Sequence, residues 1–316
     1  MRVPMHNPLL SVVIGSYNRL PLLHQCIQSI LECSIPIKIY VTDAGSKDGS
    51  VEYLQSLDPA RVTSVFHPQK MGQARAYNEI FLKIQTPYTC WLSDDNIVVN
   101  NSLATAVSIL EGESKIGMVA LKVRDMQGPF ANSPYIGGIS SCGILNVNQG
   151  VLRTQTLQRL GGFSEVFMDY GIDPDLTARV LLAGHDIVYT RSVGIQHWRD
   201  WGLDHQLASQ MQKQKAYKAL YHQAYSYANI PPKQTFLSRR YRQFGRWMKK
   251  IPALRGNLYS QSLLRDINNM LGGTYISLYD PIRCFGKPYY LRQSLRGPAR
   301  FIPQEALQGL EKSLVP

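Results

Sequence analysis

Short apolar runs alternate along the first third of the chain with stretches whose apolar residues recur every three or four positions. Residues 9–14 form such a run, and it ends in Gly15, Ser16, Tyr17 and Asn18, which predicts a buried strand opening into a loop. Leu20, Leu23, Ile27, Ile30 and Leu31 share helical spacing and predict a helix over 20–31. The same alternation continues with a strand over 37–42, a helix opened by Asp48, Gly49 and Ser50, a strand over 62–66, a helix over 72–84 and a strand over 88–92. Strand and helix in turn predict βαβ units, and hence an α/β fold with a mainly parallel sheet flanked by helices. Beyond Asp95 the pattern loosens. A helix is expected over 103–110, a strand over 117–123, a Gly-, Pro- and Ser-rich loop over 125–142, a helix over 175–183 stopped by Gly184, and a short strand over 187–189. From Leu203 onward the texture changes to long helical patterns rich in Gln, Lys, Arg and Tyr.

Carboxylates close several of the apolar runs. Asp43 ends one, the pair Asp94 and Asp95 ends another, and Asp173 and Asp175 follow Gly161, Gly162 and Phe163 after an aromatic stretch. In an open α/β sheet the carboxyl ends of the strands form the ligand-binding edge. Carboxylates gathered there repel unless a cation joins them, which points to a divalent metal and a phosphate ester.

Charge sharpens the division of the chain. Residues 1–204 hold 16 Lys and Arg against 18 Asp and Glu, whereas residues 205–316 hold 18 against 4. The whole excess of the +12 chain therefore lies in the last third. Two regions are expected on this basis: a near-neutral α/β domain over 1–204 and a basic, mostly helical region over 205–316. Arginines, lysines and aromatics interleave over 239–250, a composition that suits an anionic membrane surface, a helical packing or dimer face, or a polyanionic acceptor. No nucleic-acid fold signature accompanies it, so nucleic acid is not the expected partner. Apolar runs are too short to span a bilayer, and residues 1–8 lack the apolar core of a secretory signal. The five cysteines have no metal-type spacing and are expected as free thiols. A cytoplasmic protein, peripheral on the inner face of the membrane if the basic region binds lipid, is the corresponding expectation.

Each motif also has a plain structural reading. The segment Asp43-Ala44-Gly45-Ser46-Lys47-Asp48-Gly49-Ser50 follows a strand and precedes a helix. Asp43 there either accepts from a base N–H or only forms a turn, while Asp48 caps the next helix. Gly72 opens a helix with Arg75 in its first turn, which suits a diphosphate or is an ordinary helix start. Asp94 and Asp95 offer carboxylate oxygens to magnesium or manganese or form a solvated turn. Asp173 precedes Pro174, where a helix begins, and both Asp173 and Asp175 also suit a helix start electrostatically. His197 closes the series in Val193-Gly194-Ile195-Gln196-His197-Trp198.

Taken in order over residues 9–200, these segments resemble the family 2 glycosyltransferases of the GT-A fold. The resemblance implies a nucleotide-sugar donor, Mn²⁺ or Mg²⁺, and transfer with inversion to an acceptor hydroxyl in polysaccharide, glycolipid or glycoprotein synthesis. Carried over by position, Ser16, Tyr17 and Asn18 lie at the base and ribose. Asp43 contacts the base, usually uracil, which implies UDP or dTDP. Gly72, Arg75 and Asp94 complete the nucleotide site, Asp95 and His197 serve the metal, and Asp173 is the general base. Asp175, Trp198 and Trp201 are expected at the acceptor or sugar pocket. Two positions depart from the family pattern: Ser93 stands where the first acid of the Asp-x-Asp motif is usual, and Ile172 where a glutamate precedes the catalytic aspartate. These departures keep a non-catalytic nucleotide-sugar-binding or scaffold protein of the same fold as the alternative. The sequence leaves the oligomeric state open.

Overall fold

The apolar runs become the inner strands of one sheet, and the periodic segments become the helices that cover it. In chain order the elements are β1 (Leu10–Ser16), α1 (Leu20–Leu31), β2 (Ile37–Asp43), α2 (Ser50–Ser56), β3 (Val62–Phe66), α3 (Gln73–Phe81), β4 (Tyr88–Ser93), β5 (Asn96–Val98), α4 (Ser102–Gly112) and β6 (Ile116–Asp125). There follow β7 (Tyr135–Ile136), β8 (Gly138–Ile139), β9 (Leu145–Asn146), β10 (Gly150–Arg153), α5 (Thr154–Arg159), α6 (Ile172–Leu182), β11 (Asp186–His197) and β12 (Tyr289–Gln293). This computed structural model describes residues 7–127, 135–139, 144–199, 212, 215–221, 224, 225 and 289–294.

The main path of the sheet runs β3-β2-β1-β4-β10-β6-β11-β12. β1 pairs in parallel with β2 and β4, and β2 with β3. β10 runs antiparallel between β4 and β6, and β11 returns parallel to β6. Alternate residues of the strands feed opposite faces, as the pleat requires. Val13 and Trp91 pack with residues of α3, α5 and α6, whereas Val12, Ile14, Cys90 and Leu92 pack with residues of α1, α2 and α4. Burial on both faces explains why these strands read as nearly continuous apolar runs.

Register sets the functional edge. Ser16 lies opposite Asp43, and Gly15 lies opposite Ser93, so the carboxyl ends of β1, β2 and β4 finish flush. β11 is much longer than the three-residue strand expected. Exposed Arg191 and Ser192 interrupt its apolar run, and the register shifts between Tyr189 and Val193 absorb them. The strand then continues to His197, opposite Asn96 of β5.

The sheet and its core extend past residue 204. β12 pairs with β11, where Arg292 of β12 bonds Asp186 and Glu113. Leu220, Tyr221, Ala224 and Tyr225 are buried in the same core cluster as α6. Within the expected loop over 125–142, β7 pairs with β6 and β8 with β9, while 128–134 and 140–142 lie outside the described residues. Trp201 and the basic segment 239–250 also lie outside them. Among the described residues no helix is long and apolar enough to cross a membrane.

Candidate active site

Loops leaving β1 and β2 are stitched together at the sheet edge. The backbone N–H of Asn18 donates to Ser46 Oγ at 2.9 Å, and Lys47 N–H donates to Asn18 Oδ1 at 2.7 Å. Asn18 takes a left-handed φ of 51°, a conformation asparagine tolerates better than most residues. Asp43 is fully buried and shapes its own loop: Oδ1 accepts from Gly45 and Ser46 N–H, and Oδ2 accepts from Ser46 Oγ. Oδ2 keeps a free lone pair, but direct contact with a base requires the fully buried carboxylate to be uncovered first. Asp48 is not the N-cap of α2, a place Gly49 takes. Its Oδ2 accepts from Leu20 N–H at the start of α1, and its Oδ1 accepts from Ser50. Tyr17 is 40% exposed at the mouth, with Lys70 Nζ 3.9 Å from its ring centroid. Ser16 Oγ is buried with no hydrogen-bond partner among the described residues.

Asp94 and Asp95 leave β4 with only 4% of their surface exposed. Tyr17 N–H donates to Asp94 Oδ2 at 3.2 Å, which ties the acid to the β1 loop. Arg19 Nη1 donates to both carboxylates, at 3.2 Å to Asp94 and 2.8 Å to Asp95. Burial pushes the Asp94 carboxyl up to about 6 against the pull of Arg19, with the neighbouring Asp95 charge adding to the rise. Burial acts on Asp95 in the same direction, but His197 and Arg19 outweigh it and hold that carboxyl below its ordinary range. His197 Nε2 stands 3.4 Å from Asp95 Oδ1, and its Nδ1 stands 3.6 Å from Asp125 Oδ1. Asn96 donates to Asp95 Oδ1 at 3.2 Å and is held in turn by Gln149. Ser93, in place of an acid, uses its N–H to close the turn onto Asn96 Oδ1.

Trp91 brings Asp173 to the same edge. Its indole N–H is shared between Asn148 O and Asp173 Oδ1, each at 2.9 Å. Asp173 keeps part of its surface toward solvent, but protein atoms crowd its carboxyl, and burial pushes it up to about 8 while the Trp91 bond lowers it in part. Tyr77 lies among these acids. Its hydroxyl accepts from Gly15 N–H at 2.8 Å and donates to Leu92 O at 2.6 Å. Burial raises that hydroxyl well above its ordinary value, and the charges of Asp94 and Asp173 add to the rise. A Cβ on Gly15 would come within 2.8 Å of the Tyr77 ring, so the ring passes only because residue 15 has no side chain. Tyr77→Phe removes the hydroxyl that makes both buried bonds and is expected to cost about 0.5–1.5 kcal/mol in denaturant unfolding.

Several sequence expectations need correction. Asp175 faces the core instead of a sugar pocket: it is fully buried, paired with Arg179 at 2.8 Å and bonded by the Tyr225 hydroxyl. The helix start at Gly72 is not open to a diphosphate, because Gln73 N–H donates to Asp169 Oδ1 and Ala74 N–H to Met168 O. Arg75 lies on the exposed side of α3. Asp173 does not cap α6, whose N-cap is Gly171, although it does lie in the first turn. Ile172 packs in the core, so no second acid stands beside Asp173 in the chain. Trp198 is half-buried; its N–H donates to Asp95 O at 2.8 Å, and its Nε1 has no partner among the described residues. Arg19, Lys70, Trp91, Gln149 and Asp125 were not singled out from the sequence, although Arg19 sits where the β1 loop becomes a helix and Trp91 lies two residues before Ser93 on the same strand face.

Residues 11–167 match the family model described as Glycosyl transferase family 2. This chain belongs to that family. A curated relative, an uncharacterized glycosyltransferase of Haemophilus influenzae, is 31% identical over 109 residues, a stretch that covers 34% of this chain and 44% of that relative. Two solved structures share the fold of this chain. The mannosyltransferase PcManGT of Pyrobaculum calidifontis, solved with GDP-Man and Mn²⁺, has a TM-score of 0.51 at 18% identity over 86% of this chain and 89% of its own. TarS of S. aureus has a TM-score of 0.50 at 13% identity over 91% of this chain and 99% of its own. At such identities the likeness concerns the fold, which this family 2 glycosyltransferase shares with both.

Among the described residues no three His, Cys, Asp or Glu side chains form a ready-made metal cage. Asp95 and His197 nevertheless fit a magnesium- or manganese-type ion. Such ions are held by one or two protein ligands and keep other positions for phosphate oxygens and water. His197 Nδ1 has no hydrogen-bond partner among the described residues but lies 3.6 Å from Asp125 Oδ1, on the side where a carboxylate would orient an imidazole that presents Nε2 to a cation.

Proposed function

We propose that this chain transfers a sugar, with inversion, from a nucleoside diphosphate to an acceptor hydroxyl, with UDP or dTDP as the expected carrier. The observation that carries the reading is a carboxyl pushed up to about 8, held by Trp91 at the same sheet edge as Asp94 and Asp95. A general base for a hydroxyl works best with a pKa near the working pH, where it is basic enough to take the proton and still ionised in a useful fraction of molecules. The stitched β1 and β2 loops form the cradle for base and ribose, with Tyr17 and Lys70 at its mouth. Asp95 and His197 are the residues that would hold a divalent cation, which when bound offsets charge growing on the leaving diphosphate.

Asp173 accepts the hydroxyl proton as the acceptor oxygen bonds to the anomeric carbon, while the bond from that carbon to the diphosphate oxygen breaks. Trp91 keeps the accepting carboxylate oriented, because its N–H already points at Oδ1. The acceptor belongs to polysaccharide, glycolipid or glycoprotein chemistry. Screening UDP-, dTDP- and GDP-sugars with Mn²⁺ by thermal melting, followed by assay of released nucleoside diphosphate, tests the reading. One donor class is expected both to raise Tm and to be turned over. Binding without release under any acceptor would favour the scaffold alternative that Ser93 and Ile172 suggest.

A further inference from the structure

Arg19 is the cation that Asp94 and Asp95 share, while His197 faces Asp95 alone. A single nitrogen of Arg19 reaches both carboxylates, at 3.2 and 2.8 Å. An arginine cannot shed its charge at any relevant pH, so a divalent ion approaching the same oxygens meets a fixed positive group. The two acids are nearly closed to solvent, whereas the Arg19 side chain is 37% exposed. Arg19 also follows Asn18, the residue that joins the β1 loop to the β2 loop. One residue thus touches the acid pair and borders the nucleotide cradle. Guanidinium groups bind phosphate oxygens as readily as carboxylates, often through two N–H bonds.

We propose that Arg19 is the ligand-free counter-charge of the acid pair and releases it when a nucleoside diphosphate arrives with its cation, turning its guanidinium to the diphosphate. The inference rests on the nucleotide-sugar reading above. Arg19 then competes with a lone divalent ion for Asp94 and Asp95, and the ion is held firmly only together with the nucleotide. Such coupling is reciprocal: each ligand tightens the other by the same factor.

The test is Mn²⁺ binding to the full chain, followed through the EPR signal of the free ion with no nucleotide present. Wild type is expected to bind weakly, Arg19→Lys like wild type, and Arg19→Ala at least about tenfold more tightly, within the usual range of such couplings. Adding Asp95→Ala to Arg19→Ala should abolish the gain. Melting curves supply a second readout. Arg19→Ala should melt below wild type without metal, because two buried acids lose their partner, and Mn²⁺ should raise its Tm by more than it raises that of wild type. Arg19→Gln carries the same comparison if the alanine variant does not fold. A folded Arg19→Ala or Arg19→Gln that binds Mn²⁺ no more tightly than wild type overturns the proposal. If UDP with Mn²⁺ still binds wild type through Asp95 in that case, only the role of Arg19 fails. If no variant binds Mn²⁺ even with UDP, dTDP or GDP present, the cation reading of the site fails with it.

Discussion

Asp173→Asn is expected to lower kcat by on the order of 10²–10⁴-fold, the usual worth of a positioned general base. The amide keeps an oxygen for the Trp91 N–H, so the local structure should survive and donor affinity should stay close to wild type. Wild-type kcat/KM should climb with pH through about 8, where the carboxyl loses its proton, and then level off. Stability should move the other way. A carboxyl raised in the folded state binds protons that the unfolded chain has already lost, so wild type loses stability as pH rises from the ordinary value of 3.8 to about 8. The Asn variant has no such loss. Its Tm should match wild type near pH 4 and exceed it above pH 8, by roughly 2–4 °C for each kcal/mol relieved. Near wild-type turnover in Asp173→Asn would remove Asp173 from the chemistry.

Asp95→Ala is expected to have the second largest effect, and on binding. Asp95 gathers Arg19, Asn96 and His197 around one carboxylate. Removing it should weaken Mn²⁺-dependent nucleotide binding by at least about 10–100-fold, the size typical when even an outer partner of a metal ligand is lost. Nucleotide binding without metal should change far less. Calorimetry with and without Mn²⁺ separates the two, and an unchanged metal-dependent affinity would rule Asp95 out as a ligand.

Much of the first half of the fold was legible because β1 and β4 are buried on both faces and helices such as α1 show one apolar stripe. The helix over 20–31 and the strand over 62–66 have the expected bounds, and Asp43, Asp94 and Asp95 lie where strands run into acid. β10 was not legible. It has four residues, only two of them large and apolar, and its place between β4 and β6 depends on pairing with distant strands. β11 was shortened in the reading because Arg191 and Ser192 break its pattern, although the pairing of its far end with β5 is what brings His197 to Asp95. The charged partners show the same limit. Asp175 looked like a pocket acid until Tyr225, fifty residues on, supplied its hydroxyl. The helix start at Gly72 looked open until Asp169, 96 residues from Gln73, filled it. Local periodicity carries strands and helices, but which polar group meets which is decided by contacts between residues far apart in sequence.

The most direct measurement is an anomalous difference map from crystals grown with Mn²⁺ and the nucleotide selected by the melting screen. The account predicts a manganese peak in coordination distance of Asp95 and His197, a base between the loops at residues 16–18 and 43–48, and a diphosphate whose outer end is turned toward Asp173. A manganese and nucleotide bound elsewhere on the protein, with Asp95 and Asp173 touching neither, would contradict it.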